Sequence, residues 1–454
     1  MNENILSLLN KYDTAVPRYT SYPTVPYWEQ ETINAEKWKK AVSKMFIEEK
    51  GELCIYIHLP FCENLCTFCA CNKRITKNHR VEEPYISAVL KEWSIYKSLI
   101  SSKPIIKEIH LGGGTPTFFS PDHLVSLIQE ITKDCIIPED HEFSIEAHPN
   151  YTTEQHLIAL RNIGFNRISL GVQDFDHDVQ FAINRIQSYE KTKEVADWAR
   201  TSGFESINID LVYGLPKQTV RSIEYTIQHI AILKPERIAF YSYAHVPWKS
   251  KGQRRYTEED LPTASAKWEM YHLGKEMLEE ENFAAIGMDH FALPTDKLWL
   301  AASEGKLHRN FMGYTTTRSK LIIGLGASAI SDSWNAFIQN EKEVEMYQKK
   351  IESGELPIMN GHLLHEEDLL LRKNILELMC TGKTVMNNRE LDEEFLQQAI
   401  QKLKLLEEDN LVTLNGNAIS VTVKGAIFIR NICASIDARL WRNNSDKNVF
   451  SKAI

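Results

Sequence analysis

Short apolar runs alternate with longer amphipathic repeats along the first half of the chain. The runs are Leu53-Cys54-Ile55-Tyr56-Ile57-His58, Ile105-Ile106-Lys107-Glu108-Ile109-His110-Leu111, Phe143-Ser144-Ile145-Glu146-Ala147, Arg167-Ile168-Ser169-Leu170-Gly171-Val172, Ile207-Asn208-Ile209-Asp210-Leu211-Val212-Tyr213 and Arg237-Ile238-Ala239-Phe240-Tyr241-Ser242. Each is rich in β-branched or aromatic residues and is closed by glycine, proline or a polar pair, so each reads as a strand. Between them the apolar period lengthens. Ser120-Pro121 reads as an N-cap with proline at the first helical position, and Leu124, Leu127, Ile128 and Ile131 then fall on one helix face. Further helical runs stop at Gly164, at Gly203 and before Pro235. Six β–α repeats predict parallel strands joined by right-handed crossovers, in a doubly wound sheet or an incomplete barrel. In such barrels the chemistry gathers at the C-terminal strand ends. The unusual residues of this chain lie there: the cysteines after the first run, Gly112–Gly114, Glu146, Gln173, Asp210 and Ala244.

The flanks differ. Val16-Pro17-Arg18-Tyr19-Thr20-Ser21-Tyr22-Pro23 carries two prolines and reads as an extended arm. From about Met270 to Ser331 the rhythm loosens, and Leu325-Gly326-Ala327-Ser328-Ala329-Ile330 is small enough to approach a ligand closely. Near the end, helical runs at Asp368–Cys380, Asn388–Phe395 and Gln398–Glu408 precede an Asn415-Gly416 hairpin signal, a winged-helix-like pattern. The expected segments are an arm with helices over 1–50, a barrel over 51–250, an extension on the substrate side over 251–360 and a helical module over 361–454.

The stretch Cys62-Glu63-Asn64-Leu65-Cys66-Thr67-Phe68-Cys69-Ala70-Cys71 holds four of the eight cysteines. Soft thiolates select zinc, copper(I) or an iron–sulfur cluster. Structural zinc takes a second distant cysteine or histidine pair, whereas Cys54, Cys135, Cys380 and Cys433 are scattered singly. An iron–sulfur cube normally uses four cysteines, so three local ligands would leave one iron open to a substrate. Cys71 reads as a fourth ligand, a substrate-side thiol or a buried small residue, and its spacing of two from Cys69 disfavours cube ligation.

Other residues admit bland readings. Glycines after strands usually make turns. Glu146 and Asp210 would need partners at the ends of apolar strands, either a salt bridge or ligand hydroxyls. Gln173 and Arg185 are ordinary except by position. Tyr56 and Phe68 suit a core as well as a flat ligand, and His58, His290 and His308 suit structural roles before haem ligation. The net charge of −9 and the modest cluster Arg439, Arg442 and Lys447 argue against nucleic acid. With 454 residues, 43% hydrophobic and 25% charged, the chain matches a globular protein with a large core. Without a signal-peptide pattern at Met1-Asn2-Glu3-Asn4 or an apolar run of about 18 residues, the expectation is a cytoplasmic protein with no membrane insertion. That compartment also suits clustered thiols.

The chain resembles the oxygen-independent coproporphyrinogen III oxidases of the radical S-adenosylmethionine (AdoMet) superfamily. The motifs that carry the likeness are Cys62…Cys66…Cys69…Cys71, the Pro-Arg-Tyr-Thr-Ser-Tyr-Pro arm, Gly112-Gly113-Gly114-Thr115-Pro116-Thr117, Gly171-Val172-Gln173-Asp174, Asn208-Ile209-Asp210-Leu211, Tyr213-Gly214-Leu215-Pro216-Lys217-Gln218-Thr219, Met288-Asp289-His290-Phe291 and His308-Arg309-Asn310-Phe311. The resemblance implies a partial (β/α)₆ barrel with an N-terminal arm and a C-terminal, mostly helical, winged-helix-like domain. It implies one [4Fe–4S] cluster on Cys62, Cys66 and Cys69, and two AdoMet molecules contacted by Tyr56, Gly112, Gly113, Thr115, Glu146, Gln173, Arg185, Asp210, Ala244 and Ile330. The substrate would be coproporphyrinogen III, decarboxylated at two propionates by a 5′-deoxyadenosyl radical, with an electron donor and an electron acceptor as partners and a monomeric chain. Arg18 and Arg309 are candidates to pair with propionates, and the arm is a candidate lid. Val16 replaces the glycine expected before the arm motif, and Ala147-His148 replaces an apolar-acidic pair. The competing functions are a haem-binding relative and a radical AdoMet enzyme acting on finished haem.

Overall fold

The computed structural model describes residues 3–386, 391–443 and 450. The six runs form strands β1 (Glu52–Leu59), β2 (Ile105–Gly113), β3 (Glu142–Ala147), β4 (Arg167–Gln173), β5 (Ser206–Tyr213) and β6 (Arg237–Ser242), parallel and adjacent in that order. Helices at Glu82–Lys97, Pro121–Thr132, Glu154–Asn162, Tyr189–Ser202 and Val220–Leu233 link them as crossovers. The result is a partial (β/α)₆ barrel. The stop signals act as read: Gly203 caps its helix in the left-handed conformation (φ 94°), and the Ser120 hydroxyl accepts the His123 N–H.

The sheet continues beyond the six strands. Ile322–Leu325 pairs in parallel with the outer edge of β1, and three antiparallel strands extend it further. At the other edge, His290–Ala292 runs antiparallel to β6. One core runs through this assembly from Ile33 to Leu356, with Trp38, Trp93, Tyr85 and Tyr96 fully buried. Arg237 pairs with both Glu142 and Asp296, and Arg167 with Glu142, at the strand end opposite the cysteines. Charge pairing at this base holds the fold, remote from the site.

Helix Glu82–Lys97 ties β1 to the added parallel strand. Buried Glu92 accepts hydrogen bonds from the Gly326 N–H (2.8 Å), the Tyr347 hydroxyl (2.7 Å) and Asn340 Nδ2 (2.7 Å). Burial raises its carboxyl to about 7, against the pull of these donors. A carboxyl whose folded pKa exceeds its unfolded value stabilises the fold below the unfolded pKa, and that contribution is lost as pH rises through the folded one. The urea midpoint is therefore expected to fall between about pH 5 and about pH 8. Glu92→Gln should remove much of that fall; equal falls in both proteins would contradict this role.

The arm packs inward. Tyr19 and Tyr22 are buried with Leu8, Leu9 and Phe428 in a second core. The Tyr19 hydroxyl donates to Asp437 (3.0 Å), and Arg430 donates to the Val16 and Pro17 carbonyls. The hairpin appears at Val412–Asn415 and Ala418–Val421, with Gly416 at φ +60°, and Lys383–Val385 adds a third strand. The second and third helical runs expected here are one helix over the described residues, Glu393–Glu408; Asn388 and Lys447 lie outside the described residues. Phe395, Ala399, Leu403 and Leu406 form a single buried stripe, which explains the merger.

Candidate functional site

The cysteine loop leaves the C-terminal end of β1. Its base is pinned by Arg74 N–H to Pro60 O (2.8 Å) and Thr76 N–H to Cys62 O (2.9 Å). Within it, Lys73 Nζ donates to Cys69 O (3.0 Å) and Cys71 O (3.3 Å). Its outer side is held by Thr67, whose N–H donates to Ile183 O (2.9 Å) and whose hydroxyl donates to Ala182 O (3.1 Å).

Cys62, Cys66, Cys69 and Cys71 line one cavity of about 500 Å³, and all are free thiols. Among the described residues, no three Cys, His, Asp or Glu side chains converge as for a single ion. The cysteines ring a space instead, which suits a cube whose thiolates sit on separate irons. Burial pushes the Cys62 thiol up to about 11, while the Thr115 hydroxyl, 3.4 Å from its sulfur, pulls the other way. Arg185 Nη1 lies 3.6 Å from Cys66 Sγ, and Nη2 donates to Gly171 O. Arg185 Nε is buried without a hydrogen-bond partner, a donor left for a bound group.

The strand ends supply the opposite wall. Gly113, Gly114, Thr115, Glu146, Gln173, Arg185 and Asp210 all line the cavity. Glu146 accepts the Gly113 N–H (3.2 Å) and faces His110 Nε2 (3.3 Å). Its depth in the cleft pushes its pKa up, but His110 and the Gly113 N–H outweigh that and hold it below the usual carboxylate value. Asp210 behaves oppositely: burial and the charge of Glu146 push it up to about 6, despite Ser169 Oγ (2.9 Å) and Asn208 Nδ2 (2.8 Å). Gln173 sits at φ 71° beside a bulge in β4, which re-aims its side chain. Tyr56 and Gly112 stand just behind: a Cβ on Gly112 would meet Glu146 Oε1 at 2.9 Å and the Tyr56 ring at 3.1 Å.

Besides Tyr56 and Gly112, four more expected residues lie off this cavity's lining. Ala244 lies in the irregular segment after β6 and accepts from Gln253 (3.3 Å), and Ile330 pairs with Gln339 in an added strand. Arg18 and Arg309 meet each other, Arg309 Nη2 donating to Arg18 O (3.4 Å). Arg18 also pairs with Asp289 (3.4 Å) and donates to Ser242 O (2.8 Å). Both ring nitrogens of His58 are engaged, by the Tyr56 hydroxyl (3.0 Å) and Asn72 O (2.9 Å), so its role is structural.

Sequence reasoning missed Ser169, Gly171, Lys73, Tyr151 and Tyr241 on the lining. Gly171 had a readable signal, a lone glycine inside a strand, which marks close approach. A Cβ there would meet Arg185 Nη2 and Gln173 Nε2, both at 2.9 Å.

The donor set therefore fits a cluster with a cationic cofactor: four thiols, an unpartnered guanidinium donor, a glycine cradle and two carboxyls share one space. The Radical SAM superfamily profile matches residues 56–230. The chain is 37% identical to an oxygen-independent coproporphyrinogen III oxidase of Synechocystis sp. over 98% of this chain and 97% of that one. It is 36% identical to the protein of that name from Pseudomonas aeruginosa over 98% of each. Among solved structures, coproporphyrinogen III oxidase (HemN) from Escherichia coli, described as a radical SAM enzyme, superposes with a TM-score of 0.89 at 34% identity, covering 95% of this chain and 98% of that one. The chain belongs to the oxygen-independent coproporphyrinogen III oxidase family of radical AdoMet enzymes.

Proposed function

We propose that this chain converts two propionate side chains of coproporphyrinogen III to vinyl groups without oxygen, giving protoporphyrinogen IX. The observation that carries the reading is the convergence of Cys62, Cys66 and Cys69 with the polar ends of β2–β5 on one cavity. When bound, one [4Fe–4S] cluster and AdoMet supply a one-electron cleavage that yields a hydrogen-abstracting 5′-deoxyadenosyl radical. Each propionate then gives up one hydrogen atom, one CO₂ and one electron, the last to an acceptor.

The chain's residues hold and orient. Cys62, Cys66 and Cys69 take the cluster; Thr115 and Arg185 donate to their sulfurs and offset thiolate charge. Glu146, kept ionised by His110 and Gly113, faces the positive charge of AdoMet. The Gly112–Gly114 backbone leaves room for it, and Asp210, Gln173 and Tyr56 complete the contacts, with Ala244 and Ile330 at the margin. A second AdoMet is part of this reading. The barrel over 51–250 carries most of the cofactor contacts and 251–360 the substrate side, with the arm and helices over 1–50 and the helical module over 361–454. We place the chain in the cytoplasm as a monomer; among the described residues no helix is long and apolar enough to cross a membrane.

Arg18 and Arg309 serve the substrate propionates in this reading. A propionate would replace Asp289 as the carboxylate partner of Arg18 as the arm shifts. Arg18→Ala is expected to raise KM for the tetrapyrrole about tenfold, the loss of one half-buried, charge-assisted hydrogen bond worth about 1.5 kcal/mol. An unchanged KM and kcat would remove the lid role.

The test of the function is anaerobic turnover of the reconstituted protein with reductant, AdoMet and coproporphyrinogen III. Vinyl product with CO₂ and 5′-deoxyadenosine is expected. Stable haem binding with no 5′-deoxyadenosine would replace this reading with a haem-binding one.

A further inference from the structure

The segment Trp248-Lys249-Ser250-Lys251-Gly252-Gln253-Arg254-Arg255 lies across the outer side of the cysteine loop. Ser250 Oγ donates to Cys69 O (3.0 Å), and Gln253 Nε2 donates to Phe68 O (2.7 Å). A Cβ on Gly252 would stand 3.3 Å from Thr67 O. Gln253 is fully buried and accepts the Val246 N–H (2.6 Å), so the strap is a fixed wall of the loop.

Its other residues point outward. Lys249, Lys251, Arg254 and Arg255 are all exposed. Among the described residues none of the four pairs with a carboxylate; Arg254 donates to Pro247 O (3.0 Å), and Arg255 lies over the Phe181 ring at 6.0 Å. Four cations in seven residues reverse the sign of a chain whose net charge is −9. Trp248 and Phe181, 58% and 63% exposed, are too open to be core residues, and Leu65 is exposed beside them on the loop itself. The bonds from the Thr67 hydroxyl to Ala182 O and from the Thr67 N–H to Ile183 O bring the segment that carries Phe181 against that loop.

Exposed apolar side chains flanked by the four cations of the strap lie against the peptide that carries the cluster ligands, with Asp176, Asp178 and Asp260 sharing only the hollow beside Phe181 and Arg255, and this matches the anatomy of a protein contact with an oppositely charged partner. The reaction proposed above needs an electron at that loop. We propose that residues 248–255, with Phe181 and Leu65, form the docking surface for an acidic one-electron carrier protein. The carrier is oxidised by one electron and the centre on Cys62, Cys66 and Cys69 is reduced by one. No bond in this chain forms or breaks, and a proton shed by a flavin carrier passes to solvent. Anionic lipid or nucleic acid would be drawn by the same charges, but neither has reason to sit on the loop that needs an electron.

The test is the quadruple variant Lys249→Glu, Lys251→Glu, Arg254→Glu and Arg255→Glu, which leaves Ser250 and Gln253 in place. The probe is an acidic flavodoxin, and the control is photoreduced 5-deazaflavin, small and uncharged. Binding of flavodoxin to the reconstituted protein is expected to weaken at least about tenfold, with a flatter salt dependence. Bleaching of the cluster by reduced flavodoxin should slow by a similar factor, while iron content and bleaching by deazaflavin stay unchanged. The milder pair Lys251→Gln and Arg254→Gln should give the same pattern at about threefold. Unchanged flavodoxin binding and reduction in the pair and the quadruple variant would overturn the proposal. Loss of affinity for phosphatidylglycerol vesicles or RNA, with flavodoxin reduction intact, would overturn it too. Cluster reduction is read without tetrapyrrole, so this result is separate from the turnover assay.

Discussion

Cys66→Ser is expected to lose the cluster and all turnover, whereas Cys71→Ser keeps iron close to that of the unmodified chain. Both cysteines line the same cavity, so proximity does not separate them. Their surroundings do. Cys66 lies in the turn closed by Cys69 N–H to Cys66 O (3.3 Å), with the Arg185 guanidinium on its sulfur. Cys71 is exposed, two residues past Cys69, and its carbonyl is tied to Lys73 (3.3 Å). A serine hydroxyl is a poor ligand for a soft iron–sulfur centre. Removing one of three ligands should therefore drop turnover by at least about 1,000-fold, because the cofactor carries the hard chemistry. Iron and sulfide analysis of the two reconstituted variants decides it. Equal iron loss in both would make Cys71 a ligand.

Gly113→Val is expected to weaken AdoMet binding strongly while sparing the cluster. Gly113 has φ +117°, a sparsely populated conformation that costs a side-chain residue about 1–3 kcal/mol. A Cβ there would also press on the His58 ring at 2.8–2.9 Å. His58 is held on both sides by the Tyr56 hydroxyl and Asn72 O, so it cannot yield cheaply. The displaced turn would withdraw the Gly113 N–H from Glu146, which holds that carboxylate ionised. The loss in AdoMet affinity should be at least about thirtyfold, from strain and overpacking together. Gly354→Ala is the control: it shares a positive φ (79°) but has nothing within 4 Å of the new Cβ. Equilibrium binding of AdoMet to both iron-loaded variants separates local crowding from general backbone strain; matching affinities would contradict the placement of Gly113 at the cofactor.

The parts of this architecture written in local pattern were readable. The six parallel strands announce themselves because each is buried on both faces and stopped by glycine, proline or a polar pair. The cysteines, Glu146, Gln173 and Asp210 were placed together from one rule, that parallel strands deliver their C-terminal ends to one face. What depends on distant partners was not readable. Ile322–Leu325 is only four residues long, and its neighbour β1 lies far back in the chain. The arm reads in sequence only as extended, because burial of Tyr19 and Tyr22 against the C-terminal helices needs the tertiary fold. Arg18 and Arg309 are expected at the substrate; in the structure Arg309 donates to Arg18 O, and Arg18 alone of the two pairs with Asp289. Long cationic side chains reach several elements, so position in sequence fixes their partners poorly.

The most direct test of the central claim follows hydrogen from substrate to cofactor. Coproporphyrinogen III deuterated at the propionate β-carbons is turned over anaerobically by the reconstituted protein, and the 5′-deoxyadenosine is analysed by mass. The account predicts deuterium in 5′-deoxyadenosine, accumulating in step with CO₂ and vinyl product. Release of CO₂ with 5′-deoxyadenosine that carries no deuterium would contradict it.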